Sequence, residues 1–256
     1  MSADARRGCP PNRAVVEVPV LTFGKRLLIA AGGILLFAAL ASGQQTDIPR
    51  FDSYVGYAFL NSPHIGLFEN GLAVQVGVRP KRWYSIGFDY SISQGNLTLT
   101  PDMLPDDLHN TLAAQLGGAM KAGLIPATYT LAVPAHSISQ TFAVGPQLAY
   151  RKMTKATLFF RPVFLGAMHE VAKPHPTDPI AFSVANELAP TGKKTDTAPF
   201  IGFGGGFDII INRSFAWRTQ ADLVYDHLFN DLLRDGRFTV RFSTGPAFNF
   251  GKNIAK

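Results

Sequence analysis

The chain has 256 residues, a formal net charge of +6 and one cysteine, Cys9. Its Lys and Arg residues form no block and no pattern interleaved with aromatic residues, which argues against nucleic-acid binding. A single cysteine leaves no disulfide to be formed within the chain.

The first 43 residues are predicted to be an N-terminal extension followed by a secretory signal peptide. Lys25 and Arg26 precede an apolar run from Leu27 to Leu40, and the small residues from Ala41 to Gly43 follow it. This order matches a basic region, an apolar region and a cleavage site. Fourteen apolar residues are fewer than the ~20 that a membrane-spanning helix needs. We therefore predict cleavage after Gly43.

Residues 44–256 are then predicted to form the mature domain, a β-barrel without cysteine. The leader holds five of the 24 basic residues and two of the 18 acidic ones, so 19 basic and 16 acidic residues remain. The strong positive charge of the whole chain belongs partly to the leader.

Eight strands are predicted after Arg50, because apolar and polar residues alternate along each of them. They cover residues 50–60, 71–79, 83–94, 137–151, 157–169, 198–211, 215–226 and 237–250. The connections are short at 80–82, 152–156 and 212–214, long at 95–136 and 170–197, and of medium length at 61–70 and 227–236. An even strand number with short turns on one side and longer loops on the other is typical of an up-and-down transmembrane barrel.

The alternation by itself does not determine whether the apolar face of the sheet lies inside the barrel or outside it. In the last strand Phe238 and Phe242 share one face, and Arg237 and Arg241 share the other. A soluble barrel would enclose the apolar face around a ligand, whereas a membrane barrel would turn it toward lipid. Two observations favour the membrane barrel. The polar face is rich in glycine, as a narrow lumen requires, and aromatic residues gather near the strand ends, as they do at lipid–water interfaces.

The polar face is predicted to carry ion pairs inside the barrel. The turn at 212–214 sets Asp208 opposite Arg218, and pairing Asp226 with Arg237 also sets Asp222 opposite Arg241. Because an unpaired buried charge is costly, five inward acids and five inward bases predict a filled interior, which leaves no open pore in an eight-stranded barrel. The ten residues are Asp52, Asp89, Asp208, Asp222, Asp226, Arg79, Arg161, Arg218, Arg237 and Arg241.

The last three predicted strands carry a succession of short motifs. A Gly-Gly-hydrophobic-Asp strand ends at Asp208, an Arg-x-x-x-Asp-x-x-Tyr strand runs from Arg218 to Tyr225, and an Arg-x-Ser-x-Gly strand runs from Arg241 to Gly245. These motifs resemble the closing hairpins of small OmpA-like outer-membrane barrels, and Phe51 to Phe59 resembles their opening strand. The resemblance spans most of 50–251. It implies an eight-stranded barrel. This sequence departs from the OmpA-like pattern in one respect: no peptidoglycan-binding domain is expected after the barrel.

No catalytic, cofactor or metal site is predicted. His227 and Asp231 lie at the end of a strand, but the His-x-Ser-Asn pattern of lipid A deacylases is not found in the sequence. His169, Glu170 and His175 are near one another, although a metal site needs three or four converging ligands at recognisable spacing. These residues are interpreted as polar loop residues.

The second surface loop, 95–136, contains one predicted helix. Pro105 to Asp107 can begin it, with acidic residues near its positive end, and Leu108, Leu112 and Leu116 follow at helical spacing. Such a helix could dock on the barrel rim, pack under the third surface loop, 170–197, or meet a partner or lipopolysaccharide. Packing against the neighbouring loops is favoured.

These observations predict an all-β fold, an eight-stranded antiparallel up-and-down transmembrane barrel with a short helix in its second surface loop. We expect a monomer in the bacterial outer membrane, exported by the signal peptide and inserted by the barrel-assembly machinery. Its expected partners are outer-membrane lipids and lipopolysaccharide. The predicted role is structural or interactive and non-catalytic; a barrel enzyme that modifies lipid A and a narrow gated channel are the alternatives.

Overall fold

A computed structural model describes residues 45–254, so the predicted extension and signal peptide lie outside the described residues. Eight strands form one closed sheet in which each strand pairs with the next and the last pairs with the first. All pairs are antiparallel. The strands are β1 (Pro49–Ser62), β2 (Leu67–Lys81), β3 (Tyr84–Leu99), β4 (Val133–Tyr150), β5 (Ala156–Pro174), β6 (Lys194–Ile210), β7 (Phe215–Asp226) and β8 (Arg237–Asn253). The predicted fold class is confirmed.

Several strands run further toward the long loops than the sequence predicted. The predicted connection at 61–70 is wrong, because β1 continues to Ser62 and β2 begins at Leu67, with a 3-10 turn at Pro63–Ile65 between them. Gly66 closes this turn with φ 61°, a left-handed conformation that glycine adopts readily. Likewise β5 passes through Glu170 to Pro174. We call the rim that carries the short turns the turn end, and the rim that carries the longer loops the loop end.

Two helices lie in the long loops. The predicted helix is α1 (Asp106–Lys121), and a second helix, α2 (Pro179–Leu188), stands in the third loop, where the sequence analysis placed none. Asp178 caps α2 by accepting the backbone N–H groups of Ile180 and Ala181, each at 2.9 Å. An Asp-Pro pair at the N-cap and first helical position was the signal for it. Within residues 45–254, no helix is both long and apolar enough to cross a membrane.

The barrel wall is apolar outside and polar inside. The side chain of Phe238 is 56% exposed, whereas that of its neighbour Arg237 is 2% exposed. Glycine makes room for the inward charges: a Cβ atom at Gly77 or Gly204 would overlap the carboxylate of Asp52 or Asp222 respectively. In a water-soluble protein most charged side chains are exposed and most large apolar side chains are buried. The opposite distribution seen here, with charges in the lumen and a band of Phe, Leu and Val outside, identifies a membrane-spanning barrel.

Aromatic rings form contacts at both rims of this exterior. At the turn end the ring centroids of Phe215 and Phe248 are 5.4 Å apart. At the loop end those of Tyr225 and Phe238 are 4.7 Å apart. The two groups match the two interfaces of a bilayer, where aromatic side chains are enriched.

Candidate functional site: the lumen and the loop cap

Arg218 is the centre of the ion network nearest the turn end. Its Nε donates to Asp208 Oδ1 at 2.7 Å, its Nη2 to Asp52 Oδ2 at 2.9 Å, and its Nη1 to Gln75 Oε1 at 2.6 Å. Arg79 Nη2 lies 3.4 Å from Asp52 Oδ2. The structure thus brings Asp208 of β6 and Arg218 of β7 together, and the whole network joins four strands, β1, β2, β6 and β7.

The middle network differs from the predicted pairing. Asp222 stands opposite Arg241 in the β7–β8 register. However, its carboxylate pairs with Arg161, whose Nη1 lies 3.2 Å from Asp222 Oδ2, and Arg161 also pairs with Asp89. Arg161 reaches from β5 to β7 and to β3, because the narrow lumen brings alternate strands within the length of one arginine. The guanidinium carbon of Arg161 also lies 4.1 Å from the ring centroid of Phe164.

Arg237 is the centre of the network at the loop end. Its Nε lies 2.9 Å from Asp226 Oδ1, so the structure brings this predicted pair together. Its Nη2 lies 2.6 Å from Glu170 Oε2. Glu170 Oε1 accepts the hydroxyl of Ser137 at 2.8 Å. Glu170 therefore belongs to β5 rather than to the predicted loop at 170–197.

Glu69 is a second buried acid that the sequence analysis missed. Its side chain is fully buried, and its Oε1 accepts the hydroxyl of Ser139 at 3.0 Å. Among the ion pairs of residues 45–254, none includes Glu69. Seven acids and five arginines are thus buried along the strands, and the two additional acids both lie at the loop end.

We expect Glu69→Gln and Glu170→Gln to differ in stability. Glu69→Gln should change the free energy of unfolding by no more than about 1 kcal/mol, because an amide can replace a carboxylate that has no ionic partner. Glu170→Gln should cost about 3 kcal/mol, because it removes one of the two anions that compensate buried Arg237. Urea unfolding in lipid vesicles, followed by Trp fluorescence, measures both values. Equal losses would contradict the assignment of Glu170 as the ionic partner.

The turn end of the lumen is covered by the chain that precedes β1. Gln45 Nε2 donates to the backbone oxygens of Met153 and Ala156 and to the hydroxyl of Thr157, each at 2.9 Å. Ile48 is also buried there. This segment therefore packs across the opening as part of the fold.

The loop end is covered by a folded cap. Leu112 of α1 and Ala181 and Ala185 of α2 belong to one hydrophobic cluster, so α1 packs against the third loop, in agreement with the prediction. The hydroxyl of Tyr129 donates to Asp178 Oδ1 at 2.9 Å. Burial, together with this hydrogen bond, raises the pKa of Tyr129 to about 12. The backbone N–H of Ala181 is the main group that lowers the pKa of Asp178 below its ordinary value.

The fourth loop, residues 227–236, folds inward and closes the mouth of the barrel. Leu228, Phe229 and Leu233 are buried in a cluster with Phe164 and Phe200 of the barrel wall. Phe229 has a φ of 54°, a backbone conformation that is uncommon for a bulky residue. Apolar side chains thus cover the loop-end ion network.

A cavity of about 80 Å³ lies between the cap and the lumen. It is surrounded by aliphatic and aromatic side chains of all four loops and the adjoining strand ends, and among residues 45–254 the charged residues that line it are Glu170 and Lys194. Its lining consists of Ile65, Leu97, Leu99, Met103, Val133, Ala135, Glu170, Ala172, Pro174, Ala185, Leu188, Ala189, Lys194, Phe229, Leu232 and Leu233.

Two of the histidines considered for catalysis or metal binding, His227 and His169, have neutral polar partners. His227 Nε2 lies 2.8 Å from the hydroxyl oxygen of Tyr225, and His169 Nδ1 lies 2.7 Å from that of Thr197. Within residues 45–254, no group of three or more His, Cys, Asp and Glu side chains could hold a metal ion.

The chain is similar in fold to several solved outer-membrane barrels. Ail, the attachment invasion locus protein of Yersinia pestis, is 14% identical with a TM-score of 0.42 and aligns over 79% of this chain and 99% of its own. Neisserial surface protein A is 8% identical with a TM-score of 0.46, over 78% and 96%. OprG of Pseudomonas aeruginosa is 7% identical with a TM-score of 0.45, over 82% and 100%.

No protein-family model and no curated protein matches this chain. The likenesses to solved structures concern the fold alone. The assignment as a transmembrane barrel of outer-membrane type stands on the closed strand order and on the apolar exterior described above.

Proposed function

We propose that this protein is a non-conducting outer-membrane barrel whose role is structural or interactive and is carried by its loop cap. The filled lumen is the observation that supports this proposal. Arginines at three successive levels, Arg218, Arg161 and Arg237, each join acids from different strands, and all three are buried. Moving one of them aside to admit a solute would leave buried carboxylates without a partner.

The proposed location is the bacterial outer membrane, reached through the signal peptide and the barrel-assembly machinery. Closed barrels satisfy every backbone hydrogen bond without a partner chain, which is what a lipid environment requires. The apolar exterior is suited to contact with lipid acyl chains, and the cap, on the outer surface, would face lipopolysaccharide. A monomer is therefore the proposed state.

Conductance distinguishes this proposal from a narrow gated channel. We expect the mature protein, inserted in planar bilayers, to give no steady current above the lipid background at either polarity. An established open porin inserted in the same bilayers supplies the positive control. Reproducible channel openings would overturn the non-conducting assignment.

Lipid A analysis distinguishes it from a barrel enzyme. Expression in a test bacterium should leave the mass spectrum of lipid A unchanged, because a histidine that activates a hydroxyl group needs an acid to orient it. His227 and His169 contact the hydroxyl groups of Tyr225 and Thr197, but within residues 45–254 neither histidine forms an ion pair with a carboxylate. A new lipid A species that depends on expression would contradict a non-catalytic role. Histidine-to-alanine variants that abolish the new species would then identify the catalytic residue.

A further inference from the structure

We infer that the cavity beneath the loop cap is a binding site for a small, neutral, apolar molecule the size of a single aromatic ring. This inference deepens the proposed function, since it rests on the cap being the working part of the molecule. Its evidence is the chemistry of the cavity lining, the size of the cavity and the strained backbone in its wall.

The lining offers a ligand no free polar partner. Glu170 directs its carboxylate to Arg237 and Ser137, and the ammonium group of Lys194 pairs with Asp231. The other lining residues present apolar side chains. A water molecule held in a protein interior needs two to four polar partners, which this lining does not supply. An uncharged ligand without strong hydrogen-bonding groups therefore fits best.

The volume sets the size of this ligand. A buried water needs roughly 10–15 Å³, and an apolar cavity of about 150 Å³ in another protein binds benzene, so a cavity of about 80 Å³ admits nothing larger than a single small ring. Benzene and toluene stand near this limit, and a short branched alkane lies within it. A bicyclic ring system exceeds it.

Phe229, in the fourth loop, forms part of the wall of the cavity. Its left-handed backbone is held from both sides: its N–H donates to Asp196 Oδ2 at 2.5 Å, and its carbonyl accepts the N–H groups of Leu232 and Leu233 at 2.8 and 2.7 Å. Backbone strain of this kind persists only where surrounding contacts enforce it, and it is concentrated at functional sites. Here the strain places the Phe229 ring and two leucines around one space.

The same loop is tied to the ion network below it. The backbone N–H of Leu228 donates to Asp226 Oδ1 at 3.1 Å, and this oxygen also pairs with Arg237. The floor and the wall of the cavity are therefore fixed by the barrel, so the space is preformed. A preformed apolar pocket of matching size is the usual form of a small-molecule site.

Methyl NMR of the mature protein in lipid nanodiscs, titrated with toluene, tests this inference. The methyl chemical shifts of Ile65, Leu99 and Leu233, which surround the cavity, should change with toluene concentration and then reach a plateau. Those of Leu165 and Ile201, which face lipid, should shift linearly as toluene enters the bilayer. Shifts of the cavity methyls that are also linear, with no saturation, would overturn the proposal.

Two variants change the cavity in opposite directions. Ala185→Leu fills it from α2 and should weaken toluene binding at least tenfold. Phe229→Ala enlarges it and should allow saturable binding of naphthalene, which the parent protein should not bind. Both variants should retain the heat-dependent gel shift of a folded barrel. If both fold and both bind the two probes as the parent does, the cavity is not the site.

Two further measurements distinguish a free small molecule from a lipid chain as the ligand, and failure of the binding site from failure of the proposed function. Broadening of the cavity methyls by lipids spin-labelled at the acyl terminus would show that a lipid chain fills the cavity, and would overturn a site for a free small molecule. Absence of toluene binding with no conductance would refute this inference alone. Steady conductance would refute the proposed function whatever toluene does.

Discussion

Replacing Arg218 with methionine is expected to lower the free energy of unfolding by about 3–5 kcal/mol. The guanidinium joins Asp208 and Asp52 through bonds of 2.7 and 2.9 Å, and methionine leaves Asp208 without an ionic partner. Removing one member of a buried ion pair costs this much because an uncompensated charge stays behind. Urea titration in lipid vesicles, read by tryptophan fluorescence and by heat-dependent gel migration, measures the loss.

Arg213→Met is the matched control for this prediction. Arg213 is exposed in the turn between β6 and β7, only five residues from Arg218, and its replacement should change stability by no more than about 0.5 kcal/mol. The combination of Arg218→Met with Asp208→Asn should cost less than the sum of the two single losses, because the second change removes the orphaned charge. Additive losses would show that the two side chains are not coupled.

Replacing Leu165 with arginine tests the orientation of the barrel wall. Leu165 lies at the centre of β5 and is 58% exposed on the exterior. If this exterior faces lipid, an arginine there should cost about 2–4 kcal/mol of folding free energy in vesicles, the range for the bilayer midplane. A water-facing exterior would accept arginine with almost no loss.

Leu124→Arg is the corresponding control outside the membrane. Leu124 is 77% exposed in the second surface loop, beyond the end of α1. The same chemical change there should leave stability within about 0.5 kcal/mol of the parent. Equal effects of the two arginines would contradict the lipid-facing assignment of the barrel exterior.

The three arginine networks explain how an eight-stranded barrel can present a stable platform for its loops. Each network joins strands that are not all neighbours in the sheet, as Arg161 does by bridging β3, β5 and β7. Such bridges resist flattening of the barrel, whereas pairs between adjacent strands would not. The cap then rests on a rim of constant shape, with the fourth loop anchored to it through Asp226 and Asp196.

Local sequence patterns predicted those features that depend on neighbouring residues and adjacent strands. The alternation of Arg237 and Phe238 revealed which side chains point into the lumen, because successive residues of a strand face opposite sides. The short turn at 212–214 fixed the register that opposes Asp208 to Arg218, and the hydrophobic spacing after Asp106 revealed α1. The Asp-Pro pair at Asp178 is a local signal of the same kind for α2, a helix that was not predicted.

Other features arise only when the sheet closes. Glu69 and Glu170 look like loop residues in sequence, because a polar strand end that faces a lumen has the same composition as a loop. Asp222 pairs with Arg161 rather than Arg241 because the curvature of the barrel brings β5 close to β7. The register of two adjacent strands does not predict this distance, since β5 and β7 are not adjacent in the sheet. The cavity around Phe229 likewise requires four loops that are far apart in the chain to meet above one rim.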